Sequence, residues 1–196
     1  MPYRAIDPGQ RQTNPMIFPL FRRNAQAHTI STLYGMIVAQ ARLPCFYRDY
    51  AVADTVNGRF DLIVLHLALV LDRLAQDGAL KSLGQGVFDR FCQDMDDNLR
   101  EIGIADLKVP KEMRRMGEAF YGRAQAYRSA LADSGDEALM TALARNIYGG
   151  AQHDAARRLA AYMREALRDL ASQETVSLAS GQVHFPDPIL VPEITS

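Results

Sequence analysis

Tryptophan is absent from this 196-residue chain, and cysteine occurs only twice. A fold stapled by several disulfides is therefore excluded. Cys45 and Cys92 both sit beside apolar residues and read as free thiols packed like small hydrophobes, and no signal-peptide pattern points to an oxidising compartment. Neither sign of charge dominates: 22 Lys+Arg stand against 23 Asp+Glu, a net charge of −1, which argues against a general nucleic-acid binder. No window reaches about 18 uninterrupted apolar residues. The longest run, Leu62 to Leu71, is broken by His66, so the chain carries no membrane-spanning pattern.

Chemistry-bearing motifs are scarce as well. The four histidines, His28, His66, His153 and His184, are scattered, with no Glu-x-x-His or His-Glu-x-x-His spacing to build a metal site in a bundle. Asp94, Asp97 and Glu101 share one helical flank, which reads as a solvated face or a partner for basic neighbours. His66, on an apolar helix, reads as a core histidine with one nitrogen hydrogen-bonded rather than a ligand. There is no Gly-x-Ser-x-Gly elbow. Gly84-Gln85-Gly86 lacks the Lys-Ser/Thr of a phosphate loop and reads as a helix-entry turn. No catalytic set, metal site or cofactor site emerges.

What is present is helical periodicity. Thr29 or Ser31 is placed to cap a helix with Leu33, Ile37 and Ala41 on one side, ended at Leu43-Pro44. A short piece with Phe46, Tyr47 and Tyr50 follows. Asn57-Gly58 marks a turn. Arg59 to Gln76 is apolar nearly all round and belongs at the centre of a bundle. Gly86 to Glu101 is amphipathic. From Pro110 to Leu131 a stripe of Val109, Met113, Met116, Phe120, Ala124, Tyr127 and Leu131 recurs at three- and four-residue steps. Ser134 to Glu137 fits a capping box for a helix with Leu139, Leu143 and Ile147. The last helix, from His153 to Leu170, points Leu159, Met163, Ala166 and Leu170 inward. With no β pattern, the chain predicts an all-α single-domain bundle of about six to seven helices. Residues 1–28 form a flexible arm, 29–171 the helical domain and 172–196 a flexible tail.

Two surfaces stand out. In the arm, Phe18 and Phe21 precede Arg22 and Arg23, a pattern suited either to an anionic membrane surface or to an arm tucked onto the domain. The stretch Lys108 to Arg123 carries Arg114, Arg115, Tyr121 and Arg123 beside Gly117 and Gly122, glycines that each cost about 1 kcal/mol in a helix interior. On a helical wheel Arg114, Gly117, Tyr121 and Arg128 line one flank of the apolar stripe, with Arg123 at the opposite edge. The flank is either a solvated basic face paired with Asp94, Asp97 and Glu101, or an anchor patch for a partner.

Several segments, in order, resemble the ubiquinol–cytochrome c chaperone family. They are Leu33-Tyr-Gly-Met-Ile-Val-Ala-Gln-Ala-Arg-Leu-Pro-Cys-Phe-Tyr47, Asp54-Thr-Val-Asn-Gly-Arg-Phe-Asp-Leu-Ile-Val-Leu-His66, Phe88-Asp through Met95-Asp-Asp-Asn-Leu-Arg-Glu-Ile-Gly103, the Lys108 to Arg123 helix, and Ala144-Arg-Asn-Ile-Tyr-Gly149. The resemblance covers roughly residues 33 to 150. It implies a non-catalytic assembly factor for the cytochrome bc1 complex that binds newly made cytochrome b. In mitochondrial members it further implies a small partner protein and the ribosome. The chain lacks an Arg/Ser-rich transit pattern and resembles a compact bacterial member, which leaves the ribosome and the small partner open. The expected place of work is the cytoplasm, with peripheral contact at the inner face of the cytoplasmic membrane. The resemblance turns the basic-aromatic flank into an expected client surface, comprising Arg114, Gly117, Tyr121, Arg123 and Arg128, joined by Tyr47 and Tyr50. Phe18, Phe21, Arg22 and Arg23 are the expected membrane contacts. Two other readings stay open: a helical enzyme handling quinone or haem through His66 and nearby carboxylates, and a general helical interaction scaffold.

Overall fold

The computed structural model of the chain describes the backbone of residues 17–150 and 153–191, with side chains over 24–150 and 154–191. Among them there are six long helices, α1 (Ile17–Ala41), α3 (Val56–Ala75), α4 (Lys81–Glu101), α5 (Val109–Ala132), α6 (Glu137–Ile147) and α7 (His153–Ser172). Two helices of 5 residues, α2 (Pro44–Arg48) and α8 (Thr175–Ala179), complete the set. No strand occurs among the described residues, so the architecture is the expected all-α bundle.

Helix α3 is the centre. It packs against α1, α4, α5, α6 and α7. Every residue from Asp61 to Val70 is buried, which is why this segment is apolar all round. Its start differs from the expected turn. Thr55 caps it by accepting from the Gly58 amide at 3.1 Å, and Asn57 and Gly58 lie in the first helical turn. Gly58 is there because a Cβ would come within 2.0 Å of the Ala53 carbonyl oxygen. The loop before α3 thus lies directly on its first turn, with Ala51 held at φ 52°.

Gly84 and Gly86 are not an entry turn either; both lie inside α4. A Cβ on Gly86 would come within 2.4 Å of Ile30 on α1, and one on Gly84 would touch Leu74 on α3 at 3.5 Å. The missing side chain at Gly86 lets α4 approach α1, whereas a Cβ at Gly84 would make only an ordinary contact with α3. At α1, the helix begins well before the expected cap, because Pro19 falls in the first turn, where the amides have no intrahelical acceptor. Thr29 sits mid-helix and donates back to the Ala25 carbonyl at 3.1 Å instead of capping. The capping box at α6 does not form. Asp136 occupies the N-cap with no side-chain cap bond, and its carboxylate is taken by Arg164 of α7 at 2.5 Å.

The C-terminal segment is docked rather than loose. Leu178, Val183 and Val191 are buried, and Phe185 packs on the core. Tyr50 donates to the Pro188 carbonyl at 2.6 Å, and Gln173 holds the His184 backbone through both its amide groups. The docking surface is a cluster of rings, Phe46, Tyr50, His66 and Tyr162, which Phe185 of the segment joins against His66, with centroid separations of 5.0 to 6.1 Å.

His66 is fully buried within that cluster. Both nitrogens are engaged, one more than expected: Nδ1 with the Leu62 carbonyl at 2.7 Å and Nε2 with the Tyr162 hydroxyl at 2.9 Å. A carbonyl only accepts, so Nδ1 carries the proton and Nε2 accepts from Tyr162. The Tyr162 oxygen in turn accepts from Gln40 at 3.0 Å. A neutral imidazole completes this chain. Burial pushes its pKa down from 6.5 to about 4, against the Leu62 carbonyl, which favours the charged ring.

Two predictions follow from this packing. Gly58→Ala should destabilise the protein by about 2 kcal/mol or more in urea unfolding, because its neighbour is backbone and cannot step aside. For His66, the unfolded state protonates first as the pH falls. The stabilisation from holding the ring neutral is complete above pH 6.5 and disappears as the pH drops towards about 4. The loss amounts to about 3 kcal/mol. Unfolding free energies measured between pH 7 and 4 should show this slope, and His66→Gln should flatten it.

Candidate functional site

The helix that carries the basic-aromatic flank, α5, is built as expected: Val109, Phe120, Ala124 and Tyr127 are buried, and Met113, Met116 and Leu131 pack on the core. Beside that stripe, α5 faces α3 and α4 across an open groove of about 440 Å³. The floor is apolar and mostly small, with Ala68, Leu71 and Ala75 from α3, Gly84 and Phe88 from α4, and Phe120 and Ala124 from α5. Tyr121 stands on one wall, 62% exposed, its ring 5.7 Å from Phe88 and 5.4 Å from Phe120. Phe88 also meets Phe120 at 5.1 Å, so the α4–α5 wall is an aromatic seam. Arg128 closes the rim. It donates to Asp72 of α3 through Nε at 3.0 Å and through a terminal nitrogen at 2.5 Å. Lys81, Gln85 and Gln125 complete the polar edge.

The structure thus brings Tyr121 and Arg128 together on one groove, with Gly117 and Arg114 on the same face of α5 towards its N-terminus. No described residue lies within 4 Å of where a Gly117 Cβ would be, so among the described residues this backbone is open to an approaching partner. Arg114 is 82% exposed and, among the described residues, bonds only its helical neighbour Glu118 at 2.9 Å. The expected pairing with Asp94, Asp97 and Glu101 does not occur. Asp94 accepts from Tyr34 at 2.8 Å and faces Arg90, while Asp97 and Glu101 are exposed.

Three expected site residues lie elsewhere. Arg123 turns inward, its guanidinium 2.8 Å from the buried Asp61 and 5.8 Å from the Phe60 ring, so it has no free face for a client. That pair is imperfect: the contact is close but misaligned, and neither Asp61 Oδ1 nor Arg123 Nε makes a hydrogen bond. Burial raises the Asp61 pKa even against the pull of Arg123. Tyr50 is wholly buried under the tail, with Arg158 at 4.6 Å over its ring, and offers no surface. Tyr47 is half-buried and lines a separate cleft beside α2. The side chains of Phe18, Phe21, Arg22 and Arg23 lie outside the described residues, although their backbone belongs to α1. Sequence reasoning missed Asp72, Lys81 and Phe88. Asp72 follows directly on the apolar run that ends at Leu71, a signal that the central helix emerges there.

Among the described residues no three His, Cys, Asp or Glu side chains converge to hold a metal. No helix among them is long and apolar enough to cross a membrane. What fold and site define is an all-α bundle with an apolar groove rimmed by charge. The chain belongs to the ubiquinol-cytochrome C chaperone family, whose sequence model matches residues 48–185. It is similar to the ubiquinol-cytochrome-c reductase complex assembly factor 1 of Xenopus laevis, at 29% identity over 116 residues, 59% of this chain. The match spans 58% of that protein's length. The crystal structure of the Cbp3 homolog from Brucella abortus superposes with a TM-score of 0.81 and 38% identity, over 90% of this chain and 100% of that one.

The two sides of α5 should respond oppositely to substitution. Gly117→Ala, in a helix with open space, should stabilise by about 1 kcal/mol. Arg123→Ala, which strands the Asp61 carboxylate, should cost about 3 kcal/mol. Thermal and urea unfolding of the two variants read both signs.

Proposed function

We propose that this protein is a non-catalytic assembly chaperone for the cytochrome bc1 complex, which holds newly made cytochrome b by seating side chains of one of its apolar helices in the α3–α4–α5 groove. The observation that carries this reading is the groove itself. Its apolar floor is left open by small residues on three helices, beside an exposed aromatic ring and an arginine that is already oriented. An amphipathic or apolar helix meets such a groove through anchors at i, i+3, i+4 and i+7. The groove's volume fits a few such side chains. Tyr121 supplies a rigid aromatic contact and Arg114 an orienting charge on the same face. The family membership and the name of the Xenopus relative support the bc1 complex as the setting.

The enzyme reading, with His66 handling haem or quinone, has little to start from. Both ring nitrogens are already hydrogen-bonded, and ligation would break the chain to Tyr162 and Gln40.

Loss of the gene should lower haem b absorbance and bc1 activity in membranes, and an unchanged spectrum with a normal complex overturns the role. Tyr121→Ala changes an exposed residue and should leave stability within about 0.5 kcal/mol. It should cut recovery of crosslinked cytochrome b by roughly tenfold, the scale of an interface anchor. Wild-type recovery from this variant places the client elsewhere.

A further inference from the structure

At the end of the bundle where α1, α2 and α3 meet, a second cleft of about 590 Å³ is lined by Arg42, Pro44, Tyr47, Arg48, Asp54 and Arg59. It is distant in character from the groove: its lining is charged and it holds three guanidinium groups. Arg48 gives Nε and one terminal nitrogen to Asp49 at 2.7 and 2.6 Å. Arg59 gives Nε to Asp54 at 2.8 Å. Each acid holds its arginine from one side, and neither guanidinium makes a further hydrogen bond among the described residues. Arg42 is exposed and has no carboxylate partner among the described residues. Three guanidiniums therefore face two carboxylates, and the cleft keeps an excess of positive charge. Tyr47, whose hydroxyl donates to the Ala41 carbonyl at 3.0 Å, lines the same cleft.

The backbone around the cleft is built tightly. Ala51 sits at φ 52°, a region that costs a non-glycine residue of order 1 kcal/mol or more and is retained where the surroundings require it. Val52 is buried, its amide donating to the Phe46 carbonyl at 3.1 Å. The Ala53 carbonyl rests on Gly58, where no side chain would fit. These constraints fix the loop that carries Asp54 against the helix that carries Arg59. The tail borders the same place. Pro44 and Arg48 also line a neighbouring cleft formed with residues 185–189. There a turn held by Asp187 presents Ile189 and Leu190, 62% and 78% exposed.

We infer that the Arg42–Arg48–Arg59 cleft binds a phosphate group. Planar guanidinium forks match phosphate oxygens in pairs, which a lysine cannot do. The exposed Ile189 and Leu190 beside the cleft favour an anionic phospholipid headgroup as the source, with the two side chains entering the acyl boundary next to it. A soluble phosphate ester offers the same group without the apolar contact. The inference is independent of where the client binds.

The test uses the full chain with vesicles of phosphatidylcholine, with or without phosphatidic acid, and inorganic phosphate followed by NMR of backbone amides. Vesicle binding should require phosphatidic acid. It should fall roughly fivefold for Arg42→Gln and again for Arg42→Gln/Arg48→Gln, while Arg115→Gln, an exposed arginine on α5, binds as wild type. Ile189→Ser should weaken vesicle binding and leave phosphate shifts at the cleft unchanged. Phosphate shifts around Tyr47 and Arg59 without vesicle binding also support the site and assign it to a soluble ester. Arg42→Lys separates a built site from diffuse attraction, because it keeps the charge and loses the fork; binding equal to wild type in this variant overturns the inference. So does the absence of both vesicle binding and phosphate shifts at these residues.

Discussion

Enclosing α3 on every side is the constraint from which the rest of the structure follows. Five helices surround it, so any polar group on its buried turns must find a partner inside the protein. Asp61 and His66 are the two buried polar side chains among the described residues, and they are resolved in opposite ways. His66 is kept neutral and threaded into a chain that links α3 to Tyr162 of α7 and Gln40 of α1. Gln40 also reaches the Pro186 carbonyl at 3.3 Å, which draws the tail onto the same point. Asp61 is answered by the Arg123 charge with misaligned geometry. The first arrangement rigidifies one end of the bundle, and the second ties α5 to α3 by charge attraction without a completed set of hydrogen bonds.

Helix identity was legible because burial on one face leaves a 3.6-residue period. The all-round apolar run of α3, the α5 stripe and the inward face of α7 each lie where the pattern put them. What was not legible depends on pairs of distant residues. A glycine read alone looks like a turn; Gly58 and Gly86 are explained only by Ala53 and Ile30. The tail reads as loose because its prolines and polar residues carry no period. It is held because single side chains enter the core, Val183 and Val191 buried in it and Phe185 against His66 of α3, while Tyr50 holds the Pro188 carbonyl. Tyr50 was misplaced for the same reason: an aromatic residue in a short irregular segment looks exposed until the tail that covers it is known.

The arginines of α5 show the same limit within one helix. The wheel separates Arg123 from Arg114 and Arg128 correctly, and the structure adds what each one does. Arg114 and Arg115 reach only their own helix, at Glu118 and Glu112. Arg123 and Arg128 reach α3, one on the buried side and one on the rim. An arginine bridging two helices is a fixed object with little entropy left to lose, whereas one tied to its own turn is free to be redirected. A partner arriving at this face would meet a pre-set charge at Arg128 and an adaptable one at Arg114.

The groove beside them is a consequence of side-chain size. Ala68, Ala75, Gly84 and Ala124 come from three helices, and each is small where a larger apolar residue would fill space. Filling it would bury more surface, worth about 0.8 kcal/mol for each methylene removed from water. The remainder of the same helices is filled with Leu, Phe and Tyr at near-zero exposure, so the economy of volume is local. Phe88, Phe120 and Tyr121 pack against one another to hold the wall upright instead of collapsing into the gap. Along this groove the bundle leaves apolar surface open while fastening the rim with Arg128 and Asp72, so the stability that larger side chains would add there is absent and the shape of the groove is held.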